Sequence, residues 1–483
     1  MSFGSIQNYG LLGIAFYVVI LGVMLTLIYE ERDPSTTLAW VLILLLLPGI
    51  GVVIYVLFGR NWRIIARSDH RRIEALRLGA EILAPVYARH AAGIAALQHR
   101  DPPLIGRLIT AIRTQDGTEP LPCTDLEIFP HGAEKFARLY SDIESATDHV
   151  HLEYFIWEQD SLTAGFCGLL AEKVRQGVEV RVLYDWVGSI TYGKRQLKQL
   201  RKAGAGVSAD AAKWTKLNYR NHRKIAVIDG RVAYTGGMNM GQEYIDGKPR
   251  YESWRDTHVR FGGPLVADLQ RLFAIRWLRA TKESVFSERY FPILDHEVAT
   301  NSVWAQVVNS GPESTWRAVR NAFLIAIASA ETRVQIQSPY FIPDQGIEDA
   351  LVAQSLAGVE TRLMMTGVPD KKIPWWAAFT YIDDFVLAGG RVLQYQAGFF
   401  HPKTMTIDGS VAVIGTTNFD IRSFELHDEL SIFFYDEGVA ASQDAIFEED
   451  LVNSAEYTLE NAHGIGRFRR MRNALARLSS RVL

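Results

Sequence analysis

"NHRKIAVIDGRVAYTGGMN", residues 221–239, sets a histidine and a lysine two positions apart, then an aspartate before a glycine, then a Gly-Gly turn closed by an asparagine. The run Ile225–Ile228 is apolar and β-prone, and Asp229-Gly230 reads as a hairpin turn into a second strand. Side chains two apart on a strand leave the same face, so His222 and Lys224 present an imidazole beside an ammonium. The spacing returns in "FHPKTMTIDGSVAVIGTTN", residues 400–418, with His401, Lys403 and Asp408. Asn239 and Asn418 each follow their histidine by 17 positions (239 − 222 and 418 − 401).

The flanking sequence repeats as well. "HVHLEYFIW" (149–157) leads into a helix stopped at Gly177 and then a strand, and "TRVQIQSPYFIP" (332–343) leads into a helix stopped at Gly358 and then a strand. His222 and His401 are 179 apart (401 − 222), and the two glycines 181 (358 − 177). Two copies of one α/β unit follow from this. The fold expected is two mixed β-sheets flanked by helices and related by a pseudo-twofold, with halves at 110–300 and 301–483.

An exposed strand face carrying imidazole and ammonium is an anion site that suits a phosphate. Lys224 and Lys403 supply charge, and the imidazoles can attack or move a proton near neutral pH. Asn239 and Asn418 are placed to complete the phosphate cradle with amide donors. Asp229 and Asp408 admit two readings, as catalytic members of the motif or as turn residues before glycine. After each motif an acid enters a strand, Asp256 in "SWRDTHVRFGG" and Glu429 in "LHDELSIFFYD", 34 and 28 residues beyond the preceding histidine. These are the candidates to orient the imidazoles. Neither half holds a complete acid-base pair, so the expectation is one shared site with a nucleophile on one side of phosphorus and a general acid on the other. No cofactor and no metal are expected, because two lysines and two asparagines supply what a cation would and no DxD-type or His-rich cluster occurs.

Composition bounds the partners. With 51 basic and 54 acidic residues among 483, the net charge of −3 argues against a general affinity for nucleic acid. Cys123 and Cys167 lack metal-ligand spacing and suit a reducing compartment. Residues 1–60 differ in character: 11–29 and 37–59 are each apolar over about the ~20 residues that a helix needs to cross a bilayer. They read as two spans, and the absence of a basic segment before Leu11 weighs against a signal peptide. Arg60, Arg63, Arg67, Arg71 and Arg72 follow the second stretch and place the large C-terminal part in the cytoplasm, with 61–109 as a basic juxtamembrane helical linker. Pro48 and Gly49 leave a kink or a re-entrant hairpin open. The aromatic runs "IPWWAAFTYIDDF" (373–385) and "AGFFH" (397–401) read either as acyl-chain guides or as core. "RFRRMRNALARLSSRVL" (467–483) reads either as a basic helix on anionic headgroups or as a packed helix with a solvated arginine face.

The paired motifs resemble the signature of the phospholipase D superfamily, filled by His222, Lys224, Asp229, Gly236, Gly237 and Asn239, and by His401, Lys403, Asp408, Gly415, Thr416 and Asn418. Gly237 and Thr416 stand where many members have serine. Within that superfamily the N-terminal stretches, "EYFIW", "SPYFIP" and "GGMNMGQEYI" are similar to those of the bacterial cardiolipin synthases. The resemblance implies condensation of two phosphatidylglycerol molecules to cardiolipin and glycerol through a phosphatidyl-histidine, with His222 as nucleophile and His401 as acid and then base. It also implies a multi-pass enzyme of the bacterial inner membrane in contact with anionic lipids. The rival readings are a hydrolase or exchanger of another phospholipid, a nucleic-acid phosphodiesterase, and a membrane scaffold without chemistry.

Overall fold

The computed structural model describes residues 14, 18–30, 34–59, 69–189, 194–210, 219–293, 302–478 and 480. These fall into an N-terminal helical unit and a large α/β body.

In the N-terminal unit a helix covers residues 18–29, and Pro34–Leu46 and Pro48–Ile54 follow, closed by a π-turn at Tyr55–Gly59. Ile20, Leu27, Leu44 and Tyr55 pack together, with Trp40 edge-on to Tyr55. The apolar run 37–59, expected as one span, breaks at Leu47, whose φ −128 and ψ 62 leave the helical region. Pro48 then starts a new helix, because it has no N–H with which to continue the old one. Among the described residues no helix is long and apolar enough to cross a membrane. Part of the first expected span (11–13 and 15–17) and Arg60, Arg63 and Arg67 lie outside the described residues.

The stretch expected as a helical linker is helical from His70 onward and packs on the body. His70–Gln98 is one helix packed along Val266–Thr281, with Leu83 against Phe273 and Trp277. Gly79 allows the close approach, since a Cβ there would sit 3.1 Å from Arg271 Cγ. This helix is therefore a wall of the body.

The two sheets expected from the repeat are joined into one. Among the described residues a 16-stranded sheet runs continuously through both halves. Leu121–Phe129 is antiparallel to Val303–Ser310 at the junction, with Leu121 opposite Ala305 and Cys123 opposite Val303. Outward from the junction the first half runs His258–Gly262, Val232–Gly236, Ile225–Ile228, His149–Tyr154, Glu179–Asp185 and Gly206–Asp210. The second half runs His427–Phe434, Val411–Gly415, Thr404–Ile407, Arg333–Gln337, Glu360–Thr366 and Arg391–Tyr395, and adds Ser454–Tyr457 at its edge. The orders match strand for strand. Gly177 and Gly358 both hold φ 90 just beyond the helices Ser161–Arg175 and Gln345–Leu356, a conformation that favours glycine and stops each helix.

The motif strands are central and buried on both faces. Ala226 and Ile228 face a core with Leu152, Phe166 and Leu170, whereas Ile225 and Val227 face another with Phe261, Leu269 and Ile432. The polar residues just ahead of these strands are consequently held by a rigid sheet rather than by a free loop.

Candidate active site

The segments leading to the two histidines exchange partners between halves. Arg220–Asn221 pairs in parallel with His427–Asp428, and Phe399–Phe400 pairs in parallel with Trp254–Arg255. The His222 N–H donates to Asp428 O at 3.0 Å, and the His401 N–H to Arg255 O at 2.8 Å. The next residue after each acceptor is a carboxylate, which thereby faces the histidine of the other half. His222 Nδ1 donates to Glu429 Oε1 at 2.9 Å, and His401 Nδ1 to Asp256 Oδ2 at 2.7 Å. Sequence order had matched Asp256 with His222 and Glu429 with His401; the inter-half strand pairs cross them.

Both carboxylates are completely buried and further held. Thr416 Oγ1 donates to Glu429 Oε2 at 2.5 Å, and the Thr257 N–H to Asp256 Oδ1 at 2.7 Å. Lys224 Nζ donates to His222 O at 2.6 Å; Lys403 Nζ donates to His401 O and lies 3.9 Å from Asp256 Oδ2. Each lysine thus loops back onto the backbone of its own histidine and remains with further N–H groups for an anion.

Charge in this small volume is costly, and the titrations reflect it. Burial, followed by the neighbouring Lys224, Lys403 and His401, pushes His222 well below the usual histidine range. Burial and Lys403 lower His401 to about 4 against the opposing pull of Asp256. Burial brings Lys224 down to about 7 and Lys403 to about 8, with Glu429 and Asp256 resisting. For Asp256 burial pushes upward, but Lys403 and His401 win and hold it below the usual carboxylate range. These couplings run across the halves, so the two histidines and two lysines of the motifs form one electrostatic cluster. Burial and the lysines favour the neutral form of both imidazoles, and Nδ1 of each is held by the other half's carboxylate, with Lys403 Nζ also 2.8 Å from His401 Nδ1.

The two motif asparagines are buried. Asn239 Oδ1 accepts from the Ile156 N–H at 3.1 Å and Nδ2 donates to the Tyr244 hydroxyl at 3.1 Å. Asn418 reaches Asp420, and its Oδ1 is buried without a hydrogen-bond partner among the described residues.

Asp229 and Asp408 are not part of the cluster. They lie at the far ends of strands Ile225–Ile228 and Thr404–Ile407, roughly 20 Å of extended chain from the histidines. Asp229 Oδ1 accepts from the N–H groups of Asp148 and His149 at 2.8 Å, and Oδ2 from Thr147 N–H at 2.8 Å. Asp408 repeats this with Thr332 and Arg333 at 2.8 Å and Glu331 at 2.9 Å. With φ 52 and 50, followed by glycines at 63 and 64, both build hairpin turns and pin the start of the neighbouring strand. Of their two readings, these bonds and turns support the structural one.

Apart from Phe399 and Phe400, several neighbours escaped the sequence reading. Phe155 stands edge-on to His222 with ring centroids 4.9 Å apart, and Trp254 and Phe399 flank His401 at 6.1 and 5.5 Å. Phe399 therefore props an imidazole, while Phe400 stacks on Tyr395 in the core; neither is an exposed acyl guide. Beneath the first histidine, buried Glu153 accepts from Asn221 at 2.8 Å and from Arg223 at 3.0 Å, locking the motif's intervening residues. His427 lies 5.5 Å from His222 between ring centroids. His222, His427 and Glu429 offer ligand atoms within 4.8 Å of one another, a spacing that could admit a cation, although Glu429 is already engaged by His222 and Thr416.

Known proteins give the context. A family model described as "Cardiolipin synthase, PLD-like domain" matches residues 139–272 and again 323–451, and one described as "Phospholipase D-nuclease N-terminal" matches 11–60. The major cardiolipin synthase ClsA of Bacillus subtilis is 36% identical over 498 aligned positions, covering 100% of both chains. A cardiolipin synthase of Oceanobacillus iheyensis is 35% identical over 98% of this chain and 99% of its own. The fold is shared with the crystal structure of phosphatidylserine synthase from Haemophilus influenzae, with TM-score 0.58 and 13% identity, over 78% of this chain and 99% of that one.

Proposed function

The chain belongs to the cardiolipin synthase family of phospholipase D-like proteins, a phosphatidyltransferase by that membership, and on that premise we propose that His222 and His401 act as one pair on phosphatidylglycerol. His401 takes up a proton at Nε2 as the phosphodiester anion binds; His222 Nε2 then attacks phosphorus while His401 gives that proton to the departing glycerol oxygen. A phosphatidyl-histidine and free glycerol result. The glycerol hydroxyl of a second phosphatidylglycerol then loses its proton to His401 and attacks phosphorus, and the P–N bond to His222 breaks. Cardiolipin leaves, and both imidazoles return to their starting states.

The observation that supports this reading is the crossed anchoring of Nδ1 of both imidazoles within one cluster coupled to Lys224 and Lys403. Lys224, Lys403, Asn239 and Asn418 are assigned to the phosphoryl oxygens, and Glu429 and Asp256 to orienting the imidazoles. A water-poor, buried surrounding favours a lipid hydroxyl over water as the acceptor. The N-terminal unit is assigned to the bilayer because it exposes Val18, Leu21, Leu25, Leu38, Leu42 and Leu45, with the body on the cytoplasmic side.

Purified protein given labelled phosphatidylglycerol should release cardiolipin and glycerol in equal amounts. Phosphatidic acid as sole product would overturn the transfer reading. His222→Ala and His401→Ala should each abolish turnover.

A further inference from the structure

The last helix of the body is built the wrong way round for a helix facing only water. Arg467–Arg477 turns Asn473 and Ala476 inward, while Phe468 (83% exposed), Met471 (63%), Leu475 (59%) and Leu478 (82%) look outward. Their spacing of three, four and three places them on one stripe. Arginines border it: Arg472 lies 4.6 Å over the Trp376 ring, Arg477 lies 4.4 Å over Tyr381, and Arg467, Arg469 and Arg470 are exposed. The helix contains no acidic residue. Together with Ile373 and Trp376 of the helix Lys372–Leu387, Phe468, Met471, Arg472 and Leu475 line an apolar groove of about 420 Å³.

This surface is tied to the catalytic cluster. Trp375 Nε1, in the turn that carries Trp376, donates to Thr366 O at 3.2 Å, and Thr366 Oγ1 accepts from the N–H of Phe400 at 3.5 Å, the residue before His401. The Tyr251 hydroxyl donates to Pro369 O at 3.0 Å, and its ring lies 5.4 Å from Phe399, which stacks on His401. The patch and the second histidine are thus two features of one packed edge.

We infer that Arg467–Arg477 and the first turn of Lys372–Leu387 form a docking surface for an anionic lipid bilayer, with the apolar stripe in the interface and the arginines at headgroup phosphates. Such a combination of exposed apolar stripe and single-sign border is what an interfacial helix requires. Arg472 and Arg477 are engaged by Trp376 and by Tyr381 and Glu348, while Arg467, Arg469 and Arg470 are spread over the exposed border, an arrangement that mobile lipid phosphates meet without a fixed pattern of acids. Seated there, the body would present its His401 side to the lipids.

The test uses full-length Met471→Cys, labelled with an environment-sensitive fluorophore and reconstituted in neutral or phosphatidylglycerol-containing phosphatidylcholine vesicles. Cys123 and Cys167 are buried, so the label reports the stripe. In anionic vesicles the emission should shift to the blue and be quenched by nitroxides on the acyl chains, and high salt should reverse both. Adding Arg469→Gln and Arg470→Gln should lower the lipid-facing population about tenfold or more. An aqueous probe in both vesicles, or equal burial in both, overturns the proposal. So does burial in detergent that grows with protein concentration, since a second copy would then cover the stripe. The readout does not require turnover: a buried probe without cardiolipin production would sink the transfer reading and leave this one standing.

Discussion

Glu429 accepts the Nδ1 proton of His222 at 2.9 Å from 207 positions away, while the nearer acid, Asp256, serves His401. Each half therefore orients the other half's imidazole. Removing one carboxylate should impair a histidine whose own half is untouched. Glu429→Gln is expected to lower turnover by about 10–100-fold through slower formation of the covalent adduct on His222. Asp256→Asn should cost a similar factor through His401. A phosphodiester with a nitrophenol leaving group separates them, because it needs little protonation to depart. Asp256→Asn should keep its burst of nitrophenol; Glu429→Gln should lose it. The opposite pattern would reverse the assignment of nucleophile and acid.

Asp229 and Asp408 should behave as structural residues despite lying in the motif. Each accepts three backbone N–H groups, and charged hydrogen bonds of this kind contribute about 1.5–3 kcal/mol each. Asp408→Ala is expected to lower the unfolding midpoint by several degrees and reduce yield, and its alanine also strains against φ 50. The protein that does fold should keep near-normal turnover per active site, counted by covalent trapping. A folded Asp408→Ala with normal stability and no adduct would restore the catalytic reading.

The contrast between these acids shows what sequence carries and what it omits. The repeat and the strand-helix-strand units were readable because they depend on local periodicity and spacing, whereas His222 and Lys224, read as an exposed strand face, lie buried in the link between strands Arg220–Asn221 and Ile225–Ile228. The joined sheet was not, since Leu121–Cys123 and Val303–Ala305 carry no signal that they are partners rather than two edges. The crossing of the carboxylates depends on two parallel bridges of only two residues each, Arg220–Asn221 with His427–Asp428 and Trp254–Arg255 with Phe399–Phe400. No pattern in those residues announces a register. The break at Leu47 had a local cause, Pro48, and was open to view as a kink for that reason.

The pH dependence should separate binding from chemistry. A lysine whose value is lowered stays charged on the acid side and discharges as pH rises through that lowered value. With Lys224 at about 7 and Lys403 at about 8, the positive charge of the pair is lost in two steps, the first through neutrality and the second about one pH unit higher. KM for phosphatidylglycerol is expected to climb from neutral pH upward, whereas the neutral form of His222, held well below its usual range, is unaffected there. KM and kcat measured across neutral and alkaline pH in mixed micelles check this. A KM flat throughout, with only kcat falling, would remove the lysines from phosphate binding.

The last prediction concerns an asymmetry between halves. Thr416 gives its hydroxyl to Glu429, but the equivalent Gly237 has no side chain, and a Cβ built there would lie 2.0 Å from Asp256 Oδ1. The shorter aspartate occupies the space that a side chain needs in the first half. Gly237→Ala should therefore push Asp256 off His401 Nδ1, lowering turnover about 10–100-fold and stability by about 1–3 kcal/mol. Thr416→Ser keeps the donor and should be close to normal, while Thr416→Val leaves Glu429 Oε2 without it and should slow adduct formation on His222. The nitrophenol burst again distinguishes the two sides, since Gly237→Ala should retain it and Thr416→Val should not. If Gly237→Ala matches the parent protein in rate and unfolding midpoint, Asp256 has room to move and its anchoring of His401 is not needed for turnover.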